Sequence, residues 1–76
     1  MIEKLLKIVE EVLKVQVTQE TSIANCEKWD SLNHLILISA LEEAFDVAFE
    51  PEEIATMKSI VEIEKRLKVN HESNGY

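Results

Sequence analysis

A chain of 76 residues has room for one domain, and a domain of this size buries only about 60% of the surface that its unfolded form exposes, which argues against a deep cleft walled by two lobes. With 46% hydrophobic and 30% charged residues it has an ordinary globular balance rather than a disordered one. A net charge of −7 argues against nucleic acid as a partner, because phosphate contacts draw on Lys and Arg.

Only one Gly and one Pro are present, too few for a sheet of short strands joined by tight turns. Helices linked by a few loops are expected. Ile2, Leu5, Leu6, Val9, Val12 and Leu13 recur at three- and four-residue spacing, which predicts a first helix over about 2–15. Lys4, Lys7 and Glu11 form its solvated face, helped by Glu placed four residues before Lys at Glu3–Lys7 and Glu10–Lys14.

From Gln16 to Trp29 the periodicity lapses, and Thr18, Thr21, Ser22 and Asn25 read as loop chemistry. A loop this long in so small a domain is often functional or packed on itself, with Ile23 as the expected plug into the core. Cys26 is the only cysteine, so no intramolecular disulfide forms. No His/Asp setting is evident to activate its thiol, and no metal-ligand set is expected.

Asp30 is placed to cap a second helix that runs from Ser31 to about Asp46, its carboxylate accepting from the N–H of Leu32 or Asn33. Leu37, Ile38, Leu41 and Phe45 share one face and should point inward. Leu32, Leu35, Ile36 and Ser39 share another, which continues to Glu43 and Asp46. Either the loop residues Ile23 and Trp29 cover this second stripe, or it is exposed as a docking surface, the reading favoured here. Pro51 fits the first turn of a short third helix, with Glu52 and Glu53 favourably placed for its dipole. Ser59-Ile60-Val61-Glu62 is a capping-box pattern that opens a fourth helix through about Leu67, with Ile60, Ile63 and Leu67 buried. The expected fold is all-α, a small four-helix bundle with a short third helix over residues 1–68. A flexible polar tail over 69–76 follows, and no internal repeats are evident.

The charge is unevenly spread. Acids and bases balance from Met1 to Lys14, six acids and no Lys or Arg lie between Ser31 and Met57, and the stretch from Lys58 to Lys68 is slightly basic. A negative field on the middle of the chain would steer basic partners. Glu42, Glu43 and Asp46 stand near the end of the second helix, where the dipole disfavours acids. This hints at a role beyond helix stability.

The candidate site is Trp29-Asp30-Ser31-Leu32. Capping alone would explain a Ser and an Asp here. The first turn of a helix also presents unpaired N–H groups and partial positive charge, which would stabilise a phosphodiester on Ser31. With only His34 and His71 in the chain, no Ser-His-Asp arrangement is evident to make Ser31 a nucleophile in its own right.

Asp30-Ser31-Leu32 resembles the Asp-Ser-Leu signature of acyl carrier proteins, and the likeness continues. Leu41-Glu42-Glu43-Ala44-Phe45-Asp46-Val47 resembles the family's ending of the second helix. The first helix, Thr21-Ser22-Ile23, Pro51-Glu52-Glu53-Ile54 and Ser59-Ile60 also fall where the family has them, so the resemblance covers about residues 2–68.

The resemblance implies a carrier rather than an enzyme. A phosphopantetheinyl transferase would attach 4'-phosphopantetheine from coenzyme A to Ser31, and the arm's thiol would hold an acyl or aminoacyl group as a thioester. Asp30 would help position the modification. Leu32, Leu35, Ile36, Glu42, Glu43 and Asp46 would meet partners: a loading enzyme, then downstream synthases or transferases of lipid or secondary-metabolite biosynthesis. A cleft for a short apolar cargo is expected near Phe45, Phe49, Ile54, Met57 and Ile60, residues most simply read as core.

Two departures stand out. Asn33, His34 and Ile36 replace the acids that fatty-acid carriers place just after the serine, and Lys28 and Trp29 replace the small residues before it. These point to a specialised stand-alone carrier serving a dedicated pathway. His34 is expected to be a half-buried polar residue rather than part of a groove for the arm. The N-terminus lacks a signal-peptide block, and no apolar run approaches the ~20 residues that span a bilayer. A cytoplasmic monomer without membrane insertion is expected. The competing reading is a helical interaction module that keeps this fold without using the arm.

Overall fold

The computed structural model describes residues 2–73. Four α-helices follow in order: α1 (Ile2–Leu13), α2 (Ser31–Phe45), α3 (Pro51–Thr56) and α4 (Ile60–Ser73), with a single 3₁₀ turn at Ile23–Asn25. The all-α expectation holds. α1 packs against both α2 and α4, and their apolar stripes meet in one core. Leu5, Val9 and Leu13 come from α1, Leu37, Ile38 and Leu41 from α2, and Ile60, Ile63 and Leu67 from α4. Val17, Trp29, Phe49 and Met57 enter the same core from the connections. Phe45 is partly buried at its edge.

α4 continues to Ser73, beyond the expected end at Leu67. The polar residues after Leu67 include no Pro or Gly before Gly75, so nothing in them breaks a helix. The last three residues of the expected tail, 74–76, lie outside the described residues.

α1 and α2 end in the same way. Lys14 and Asp46 both adopt left-handed backbone, with φ of 61° and 54°. Glu10 Oε2 accepts from Val17 N–H at 3.2 Å, and Glu42 Oε2 accepts from Phe49 N–H at 2.7 Å. In each case a Glu in the last turn reaches seven residues ahead and turns a buried apolar residue into the core. Glu10-Glu11-x-x-x-Val15-x-Val17 and Glu42-Glu43-x-x-x-Val47-x-Phe49 thus form a local repeat that the elements as wholes do not show. The left-handed Lys14 also explains why α1 stops at Leu13, short of the expected Val15.

α3 contributes no fully buried side chain, although Ile54 is packed against the core. Its start is capped by Glu53 Oε1, which accepts from Glu50 N–H at 2.9 Å. The other oxygen of Glu53 pairs with Arg66 Nε of α4 at 3.5 Å. The long first loop is anchored by an antiparallel bridge between Ser22 and Ser59. Ile23 N–H donates to the Lys58 carbonyl at 2.9 Å, and Ile60 N–H donates to the Thr21 carbonyl at 3.0 Å. Ile23 is packed against the core as expected, held there by backbone as much as by its own side chain.

Candidate functional site

Ser31 is the first residue of α2 and is exposed. Asp30 precedes it in extended backbone, and its Oδ1 accepts from Asn33 N–H at 2.8 Å, one of the two alternatives expected for the cap. Asn33 Nδ2 reaches back to the Lys28 carbonyl at 2.8 Å. The chain entering the helix is therefore held on both sides of Ser31. Of the first-turn N–H groups that lack an intrahelical partner, Asp30 satisfies that of Asn33 and leaves the positive end of α2 beside the Ser31 hydroxyl.

Trp29 does not cover the outer face of α2. Its side chain is 1% exposed and belongs to the core. Indole N–H is a donor only, so the 3.0 Å contact between Trp29 Nε1 and His34 Nδ1 assigns an unprotonated Nδ1 to His34. The proton is then on Nε2, which donates to the Ile54 carbonyl at 3.0 Å. A neutral His34 thus links the loop, α2 and α3 through both ring nitrogens.

With Trp29 turned inward, Leu32, Leu35 and Ile36 are 67%, 62% and 48% exposed. The stripe lies open beside Ser31. Further along, Leu35, Ile36, Ser39, Ala40 and Glu43 line a shallow surface groove. The acids beyond it divide into two kinds. Glu43 and Asp46 are exposed, whereas Glu42 is half-buried and its carboxylate holds Phe49. Asp46 caps α2 in a backbone conformation that Asp tolerates better than most residues.

A second groove, of about 510 Å³, opens at Ser31 itself. Asp30, Ser31 and Lys58 lie along it, and Ile23, Trp29, His34 and Leu35 form its remaining lining. His34 therefore both lines the groove and satisfies its polar atoms. The residues expected to shelter cargo are placed elsewhere: Phe49, Met57 and Ile60 are in the core. Lys58 was not among the residues singled out in the sequence, where its only distinction is its place as the first base after the acidic stretch.

Ser31 is thus an exposed serine at the positive end of a helix, on a groove that Asp30 and Lys58 also line. A family model described as the phosphopantetheine attachment site matches residues 3–67, and the chain belongs to that family. It is a phosphopantetheine-bearing carrier domain, not a catalytic one. No curated protein matched the chain. Among the described residues no helix is long and apolar enough to cross a membrane.

Proposed function

We propose that Ser31 is the attachment residue and that the chain carries an acyl or aminoacyl group as a thioester for a dedicated biosynthetic pathway. The observation that carries this reading is the exposed Ser31 at the start of α2, next to an open apolar stripe. The Ser31 hydroxyl would lose its proton to the modifying enzyme and form one P–O bond, as the pyrophosphate linkage of coenzyme A breaks and its nucleotide half leaves. Asp30 supports this by holding the first turn of α2 in place.

Leu32, Leu35 and Ile36 would dock the transferase, the loading enzyme and downstream enzymes in turn, since a contiguous exposed apolar surface marks an interaction site. Glu43 and Asp46 would steer basic partners to it. Glu42, with its carboxylate on Phe49 N–H, is better suited to holding the loop after α2.

The test is intact mass after incubation with coenzyme A and a broad-specificity phosphopantetheinyl transferase. One added phosphopantetheine in the native chain and none in Ser31→Ala is the expected result. An unchanged mass with several active transferases would favour the helical interaction module.

A further inference from the structure

Two consecutive loop residues, Lys28 and Trp29, are bonded to two consecutive residues of α2, Asn33 and His34. Asn33 Nδ2 donates back to the Lys28 carbonyl at 2.8 Å, and Trp29 Nε1–H donates forward to His34 Nδ1 at 3.0 Å. Both bonds span five residues, and together they close over Asp30, Ser31 and Leu32. The Trp29 clamp is anchored, since Trp29 is buried in the core and His34 Nε2 donates to the Ile54 carbonyl. The Asn33 clamp lies at the surface, and Asn33 is held a second time by its own N–H on Asp30 Oδ1. Each clamp depends on residue type at both ends. An acid at position 33 would offer the Lys28 carbonyl no N–H, and a small apolar residue at position 29 would offer His34 no donor. The unusual residues on either side of Ser31 therefore form one structural device.

We infer that Asn33 is a positioning residue for the modification of Ser31, fixing the main chain around the serine together with the Trp29–His34 contact. The inference rests on Ser31 as the attachment residue. A serine on a free loop has to be ordered each time an enzyme uses it, at a cost in conformational entropy. Here the loop is tied to the helix beforehand, so the Ser31 hydroxyl keeps one place relative to the exposed Leu32, Leu35 and Ile36. Reaction rates depend steeply on such placement. The first turn of α2 holds no acid, so a modifying enzyme meets a fixed shape there rather than a negative charge. Asn33 acts through the Lys28 carbonyl and the Asp30 carboxylate, not through the reacting atoms. Its effect therefore belongs to the rate of the bound complex rather than to docking.

The test is the kinetics of phosphopantetheine transfer to the native chain, Asn33→Ala and Asn33→Asp, with coenzyme A saturating and the carrier concentration varied. Ala removes the amide and keeps the backbone N–H on Asp30. Asp keeps the shape but, ionised, has no proton for the Lys28 carbonyl. In both variants kcat should fall roughly three- to tenfold, the size of one lost hydrogen bond, with KM nearly unchanged. Circular dichroism and urea unfolding give the folded fraction of each variant, by which the rates are corrected. An unchanged corrected kcat in Asn33→Ala makes Asn33 a structural residue only and overturns the inference. A fall in Asn33→Asp alone is an effect of charge, and a rise in KM alone makes Asn33 a docking residue; either result also overturns it. All three leave Ser31 as the attachment residue, whereas a native chain that gains no mass overturns both readings.

Discussion

Trp29 Nε1–H donates to His34 Nδ1 at 3.0 Å, with the two rings tilted at 33° and their centroids 6.1 Å apart. That contact places the loop before Ser31 and the helix after it in one rigid unit. It also holds His34 in the tautomer that donates to Ile54, so one buried indole helps position α3.

Breaking this unit should be costly. Trp29→Phe removes the donor and leaves His34 Nδ1 without its partner, a loss of about 1–3 kcal/mol before any packing term. Urea unfolding of Trp29→Phe, His34→Phe and the double variant should give a coupling of about 0.5–3 kcal/mol. Nitrogen-15 spectra of the histidine ring should show the proton on Nε2 in the native chain and a mixture of tautomers in Trp29→Phe. A single Nδ1–H tautomer in the native chain would contradict the contact.

Glu42 and Glu43 are adjacent and chemically alike, yet should respond in opposite ways. Glu42→Ala removes the acceptor for Phe49 N–H and should cost about 1–2 kcal/mol in unfolding free energy, with Glu42→Gln milder. Glu43 is exposed, and Glu43→Gln should change stability by no more than about 0.5 kcal/mol. It should instead slow association with the transferase at low salt, measured by stopped flow, with the difference shrinking as salt is added.

The apolar stripe can be tested without disturbing the core. Leu32→Glu and Leu35→Glu each alter a side chain that is more than half exposed, so helical content and melting temperature should be nearly unchanged. The rate of modification should fall about tenfold if each contributes on the order of 1.4 kcal/mol to docking. Unchanged rates for both would move the docking surface elsewhere.

The left-handed ends of α1 and α2 make a stability prediction. Lys14→Gly should stabilise the fold by up to about 1 kcal/mol, because a Cβ is unfavourable at φ 61°. Asp46→Gly should give less, since Asp tolerates this region. Thermal melts of the two variants would rank them.

The fold was largely legible because helix α2 announces both its start and its inner face. Asp30 and Ser31 stand where a cap and a first turn belong, and Leu37, Ile38 and Leu41 repeat at helical spacing. Less legible was what depends on chain reversal. The exposed outer stripe matches the favoured reading, but the inward place of Trp29 is not legible, because no local period reveals a loop residue that turns into the core. Glu42 looked like a surface acid because only the turn after Asp46 brings Phe49 N–H onto it. The end of α1 was hidden by Lys14, a good helix former whose left-handed backbone is imposed by Val17 entering the core. Lys58 was silent for a related reason: nothing near it in sequence says that it shares a groove with Ser31.

The bridge between Ser22 and Ser59 has a consequence for how Ser31 is reached. Ile23 and Lys58, on opposite segments lining its groove, are joined directly by a backbone hydrogen bond. The groove's breadth is thus set by main chain, and it requires two distant stretches to be in register. A scrambled or half-folded chain still displays a serine but not the surface around it. An enzyme that recognises that surface would act as a proofreader, spending coenzyme A only on carriers that have finished folding.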